Sequence, residues 1–194
     1  MNPWQRAIKR IFDVVVAGAV LLVGWPFLAA LAVLIRIDSP RPVLFRQERA
    51  GRHMQPFTML KFRTMRPETP PYGLSPRSPR DPRLTRVGRF LRETGLDELP
   101  QLWNVLKGEM SLVGPRPLYM RQARVFTPRQ RRRLEVRPGL TGLAQVQGRG
   151  EVPQEEKLEI DVHYVEQMSL ALDLSILCQT VLKGFGRQKG YETW

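Results

Sequence analysis

Residues 14–35 read VVVAGAVLLVGWPFLAALAVLI, a run of 22 positions without a charge. As one helix, at roughly 1.5 Å per residue, it is about 33 Å long, enough to cross the hydrocarbon of a bilayer. A chain of 194 residues supports one domain with a sizeable core and is short for two. So small a domain does not bury a helix that is apolar on every side. The run therefore predicts membrane insertion. A secretory signal fits less well, because its apolar region is shorter; Ala30-Leu31-Ala32 mimics a cleavage site, yet the apolar sequence continues past it.

The flanks bear on topology. Arg6, Lys9 and Arg10 precede the run, and Arg36, Arg41 and Arg46 follow it. Positive residues prefer the cytoplasmic side, and here both ends carry them. Pro26 lies near the middle, where its ring and missing N–H kink or break a helix. A segment bent at Pro26 dips into one leaflet and returns. A straight span with a proline kink is the rival, and the residues leave both open, with the two-sided charge as tie-breaker.

The rest of the chain is strongly basic: net charge +13 and a pI near 10.9. This balance calls for an anionic partner, whether nucleic acid, an anionic membrane surface or a phosphorylated substrate. The single cysteine, Cys178, excludes an internal disulfide and suits a reducing compartment. Two histidines far apart, His53 and His163, and one cysteine make no zinc cluster by spacing.

Beyond the apolar run, 43–48 and 56–65 read as two short strands around a turn at Gly51. In the second, Lys61 and Arg63 are two apart, so a strand aims both to one side, where a solvated face is the plain alternative. Residues 66–83 hold six prolines and form a loop. Leu84, Val87, Phe90 and Leu91 recur at helical steps, with Arg86, Arg89 and Arg92 opposite and Gly95 as terminator. A second helix is predicted to start at Pro100, with Leu99, Leu102, Trp103 and Leu106 as its apolar face and Gly108 as its stop. The stretch 111–118 is too rigid for a helix, and 127–136 opens another, with Thr127 as cap. Residues 137–150 read as a glycine-punctuated loop, and two helices over 155–184 close the pattern. The fold class expected is α+β, mostly helical, with a short β-hairpin: residues 1–40 form the membrane-associated segment and 41–194 the rest, built as one fold with it.

Within this basic chain Asp97 and Glu98 stand together just ahead of the Pro100 helix. A carboxylate at a helix start is stabilised by the free N–H groups there, which is sufficient reason for an acid at this place. The surroundings suggest more. The same terminus attracts phosphate, three arginines occupy the preceding helix, and Gly114-Pro115-Arg116-Pro117 holds an arginine on a stiff backbone suited to a phosphate grip. Adjacent residues cannot present their carboxylates to one point in the same way, so the two acids suit different tasks. A carboxylate can attack phosphorus and split one displacement into two. Such chemistry commonly uses Mg²⁺, which accepts few protein carboxylates and keeps water.

These motifs resemble those of the bacterial sugar transferases, the monotopic polyprenyl-phosphate phosphoglycosyl transferases, over about residues 8–184 and in the family's order. The pieces are KRIFD (9–13), KFRTM (61–65), TRVGRFLRETGLDELPQLWNVLKGEMSLVGPRPL (85–118), RPGLTGLAQVQGR (137–149) and DVHYVEQMSLALDL (161–174). The resemblance implies transfer of a sugar 1-phosphate from a nucleotide diphosphate sugar, usually a UDP-sugar, to polyprenyl phosphate. UMP leaves, in the first membrane step of glycan assembly. It implies Asp97 as nucleophile, with Glu98 activating the lipid phosphate or joining Asp97 in holding Mg²⁺. It also implies a re-entrant helix bent at Pro26, with the catalytic part on the cytoplasmic face of the bacterial inner membrane. Here the chain departs from the family, placing Trp25 where a serine often precedes the bend proline.

With that resemblance in hand, Arg116 is expected to contact substrate phosphate. Lys61, Arg63, Arg86 and Arg89 would line the same cavity, and Arg137 and Arg149 would lie nearer the nucleotide or sugar. Asp13 is expected to pair with Lys9 or Arg10, the QRRRL run (130–134) to be a solvated or headgroup-facing helix face, and Asp161 and His163 to support the site from outside, the histidine structurally. A membrane-tethered nucleic-acid-binding protein is the alternative from another class. Acids and prolines interrupt its basic residues, no aromatic platform or reading helix appears, and the apolar run goes unexplained, so no nucleic-acid partner is expected. Oligomeric state, including a homodimer, stays open at this level.

Overall fold

A computed structural model describes residues 1–39, 42–70, 72–73, 75–76, 78–147 and 152–184. Helices dominate, with two small two-stranded sheets, so the architecture is α+β. The first helix, α1 (Pro3–Asp38), starts at Asn2, whose side chain accepts the Gln5 N–H while Gln5 returns the bond. It continues through Pro26, which has no N–H to offer the carbonyl of Leu22. Among the described residues it is the one helix long and apolar enough to cross a membrane.

Its contacts are concentrated at its two ends. Asp13, Ala17, Leu31 and Ile35 are buried, and their spacing puts them on one face. Near the start, Asp13 accepts hydrogen bonds from Ser111 Oγ (2.7 Å) and the Leu112 N–H (3.1 Å). Lys9 pairs with Asp173 at 2.7 Å, and Arg10 donates to the carbonyls of Val105 and Leu106. The expected pairing of Asp13 with Lys9 or Arg10 is thus replaced. Those cations find other partners, whereas the Ser111 hydroxyl and the Leu112 N–H offer Asp13 two donors inside the protein. At the far end, Asp38 accepts the Val87 N–H (2.8 Å), satisfying a free donor in the first turn of the next helix, α2 (Arg86–Thr94). Both ends of α1 are therefore tied to the same domain. Between them, over 18–30, no residue is fully buried.

Strands β1 (Leu44–Ala50) and β2 (Pro56–Phe62) form the expected antiparallel hairpin, with Phe45 opposite Lys61. Helix α2 (Arg86–Thr94) is capped by Thr85 and ended by Gly95, which takes φ 73°. A 3-10 turn, Leu96–Glu98, leads through Pro100 into α3 (Gln101–Lys107), which Gly108 closes at φ 84°. Phe90 and Trp103, expected on the inner faces of these helices, are instead about half exposed (52% and 53%). Leu91, Leu102 and Val105 fill the core without them.

The glycine-punctuated stretch after Arg137 is more ordered than its composition predicts. Strand β3 (Ser111–Val113) pairs in parallel with β4 (Gly139–Thr141), and a short helix, α6 (Leu143–Gln147), follows, after α4 (Met120–Arg124) and α5 (Pro128–Arg131). The glycines serve a close crossing: a Cβ on Gly139 would stand 2.1 Å from the Gly114 nitrogen. Helices α7 (Gln154–Gln167) and α8 (Leu170–Gly184) pack behind. The main core joins Ala17 of α1, Phe57 and Met59 of β2, Leu102 and Val105 of α3, and Tyr164 and Ile176 of the last helices. The QRRRL run is solvated only in part, because Arg133 is buried at 2% exposure.

Candidate active site

The acidic pair sits in the 3-10 turn between α2 and α3, and both helices are fastened to the end of β2. Asn104 of α3, fully buried, accepts the Leu60 N–H and donates to the Thr58 carbonyl. On the α2 side Gly88 lies against Thr64, where a Cβ would come within 2.0 Å of the Thr64 carbonyl oxygen. One turn later Arg92 donates to Thr64 Oγ1 at 2.8 Å. The turn is thereby held over the β-hairpin, and Asp97 faces a cavity of about 280 Å³ there.

That cavity is cationic. Arg49, Lys61, Arg63, Arg66 and Arg92 line it, and Asp97 is its one acid among the described residues. The carboxylate of Asp97 is buried and makes no hydrogen bond or ion pair with the described residues. Burial lifts it to about 6; Lys61 opposes the rise and Glu98 adds to it. Glu98 is held quite differently. One oxygen, Oε1, accepts Lys61 Nζ at 2.6 Å and Arg116 Nη2 at 2.9 Å. Burial works to raise its pKa, but Arg116 and Lys61 outweigh it, leaving the carboxyl well below the usual range. One acid is locked and ionised; its neighbour is unengaged and faces the cavity.

Arg116 owes its place to groups further out. Arg133 donates to the Arg116 carbonyl (2.7 Å) and pairs with Asp161 at 2.6 Å, with both side chains almost fully buried. Across the cavity Arg49 stacks 3.7 Å above the Tyr119 ring and donates to Gln47 and to the Pro117 carbonyl. The Gly-Pro-Arg-Pro segment is thus gripped on two sides.

Of the residues singled out in the sequence, Asp97, Glu98, Lys61, Arg63 and Arg116 come together here. Arg86 and Arg89 do not: both are exposed on α2 and away from the cavity lining, and Arg92 points there in their stead. Arg137 donates to the Gly108 carbonyl (2.8 Å), a bond at the end of α3. Arg149 lies outside the described residues, and His163 is exposed. Arg49, Arg92, Tyr119 and Arg133 were missed as site residues. A signal existed for Arg92, since a glycine in mid-helix at 88 marks a close approach and residue 92 shares its face.

Comparison with known proteins shows the family of the chain. The family model described as bacterial sugar transferase matches residues 4–187. The chain is 47% identical over 176 residues to an uncharacterized sugar transferase, EpsL, of Bacillus subtilis, covering 91% of this chain and 86% of that one. It is 41% identical to the exopolysaccharide production protein PSS of Rhizobium leguminosarum, covering 95% and 98% of the two chains. It is also 41% identical to the UDP-glucose:undecaprenyl-phosphate glucose-1-phosphate transferase of Escherichia coli, covering 96% of this chain but only 42% of that protein's length. A basic cavity around a carboxylate, on a domain bound to a long apolar helix, suits an enzyme of phosphorylated substrates, and the match to these relatives makes the class a phosphoglycosyl transferase. The chain belongs to the bacterial sugar transferase family.

Proposed function

We propose that this enzyme transfers a sugar 1-phosphate from a UDP-sugar to polyprenyl phosphate through a covalent aspartyl intermediate. The observation that carries the reading is the contrast within the acidic pair: Asp97 unengaged in a cationic cavity, Glu98 locked by Lys61 and Arg116. An Asp97 oxygen attacks the sugar-bearing phosphorus, the P–O bond to the nucleotide breaks, and UMP departs with that electron pair. An oxygen of polyprenyl phosphate then attacks the same phosphorus and expels Asp97, giving polyprenyl diphosphate sugar. Lys61, Arg92 and Arg116 oppose the charge that builds on phosphate oxygens, in a site where they are already oriented. Glu98 keeps two of these cations in place.

Mg²⁺ fits the same acids. Asp97 has a free carboxylate toward the cavity, and among the described residues no third histidine, cysteine or acid joins the pair. Asp97 would hold the ion, with Glu98 able to join only through Oε2, the oxygen that Lys61 and Arg116 do not bind, and the remaining positions would fall to water and substrate. When bound it would supply neutralising charge to the diphosphate. The membrane arrangement proposed is monotopic, in the bacterial inner membrane with the catalytic domain cytoplasmic. It is supported by the ties from both ends of α1 to one domain, together with the exposed apolar surface of Leu22, Val23, Trp25 and Phe27 between them.

The test is UMP release from a panel of UDP-sugars, UDP-glucose first, with polyprenyl phosphate and Mg²⁺. Asp97→Asn is expected to lower turnover by about 10⁴-fold or more while membrane binding and melting temperature stay as in the parent. A labelled phosphosugar trapped on Asp97 would support the intermediate; normal turnover in Asp97→Asn would remove it. Chelation is expected to stop UMP release and added Mg²⁺ to restore it, so activity indifferent to chelator would dismiss the metal.

A further inference from the structure

Phe45 and Arg63 border two concave surfaces at once. One is the cavity of Asp97. The other is a shallow groove of about 640 Å³ beside it, with Pro42, Val43 and Leu44 as apolar lining and Arg46 at its rim. Val43 and Leu44 also pack against the cluster of Leu31, Ile35, Phe62 and Leu91. The groove therefore adjoins the last turns of α1, on the side of the buried Leu31 and Ile35. An apolar groove beside the end of the membrane helix thus opens next to the door of a cationic cavity.

Arg63 stands at that door. Its backbone N–H donates to the Val43 carbonyl (2.8 Å), which anchors the residue, yet its Nη1 is buried and has no hydrogen-bond partner among the described residues. A buried donor without an acceptor is costly, and an anionic oxygen would relieve it. The ligand that suits this place is apolar on one side and carries phosphate on the other. A sugar nucleotide lacks the apolar part and gains nothing from Val43 and Leu44.

We infer that the groove seats the first isoprene units of the lipid phosphate acceptor, and that Arg63 takes its phosphate as it enters the cavity. This rests on the transfer reaction proposed above. It assigns donor and acceptor to two sides of one site: nucleotide sugar in the cavity, lipid through the groove, and Asp97 reached by both.

The full chain in phospholipid nanodiscs tests this, with the KM for UDP-sugar and for polyprenyl phosphate measured separately. Arg63→Gln is expected to raise the lipid KM about tenfold, and at least fivefold more than it raises the nucleotide-sugar KM. Val43→Ser, a milder change that keeps every charge, is expected to shift the two constants in the same unequal way. It should also reduce the preference for farnesyl phosphate over a phosphate with a shorter prenyl chain. Equal rises in both constants, or an unaltered lipid KM in both variants, would overturn the groove while the transfer reaction stands. A parent protein that releases no UMP from any UDP-sugar would overturn the reaction itself, and the groove with it.

Discussion

Asp97 and Glu98 differ by one position in the chain and by their whole electrostatic surroundings. Two cations converge on a single oxygen of Glu98, and those cations come from β2 and from the Pro-Arg-Pro segment, 37 residues before it and 18 after. The buried pair Arg133–Asp161 acts on the same arrangement through the backbone of Arg116. Removing one member leaves an uncompensated charge inside the protein, so Arg133→Ala is expected to destabilise by about 3–5 kcal/mol in denaturant unfolding. Arg133→Lys keeps the charge but not the fork that serves two acceptors. Its expected signature is a smaller stability loss with a clear drop in kcat, read from melting and UMP release together. At this scale the sequence made the acids and Arg116 visible through their motif. It hid Arg133, which looks like its two arginine neighbours in QRRRL until burial distinguishes it.

Element contacts decide where the acidic turn sits. Helix α2 comes so close to the backbone after β2 that Gly88 has no room for a side chain, and Arg92 reaches Thr64 from the same face. Gly88→Ala forces the helix outward. The expected cost is about 1–3 kcal/mol from overpacking, in spite of alanine's better helix propensity. Catalytic efficiency should fall with it, because Arg92 and Asp97 move together; unchanged kcat/KM alongside lower stability would separate the two. Turn residues made these helices legible, with Gly95, Pro100 and Gly108 acting at the predicted places, while the cap at Thr85 is a finding of the structure. The stretch after Arg137 was not legible. Its glycines signal a loop by composition, yet here they allow β4 to cross Gly114, a contact between segments far apart in the chain.

For the whole molecule the decisive relation is between α1 and the domain it serves. With Cys178 replaced by serine, single cysteines at Ala7 and Pro42 should both resist an impermeant maleimide in intact cells and both react after lysis. A straight span would expose one of them from outside. The apolar run, the basic balance and the linear motif pointed to a membrane helix, an anionic partner and the acidic pair as candidates, because each is read from composition or from residues close together in the chain. Only the tertiary structure decided which arginines surround Asp97, how the two acids are differentiated, and that both ends of α1 meet one domain. Burial and ion pairing are set by segments distant in sequence, and no local pattern specifies which of many similar cations will be brought to the same few ångströms.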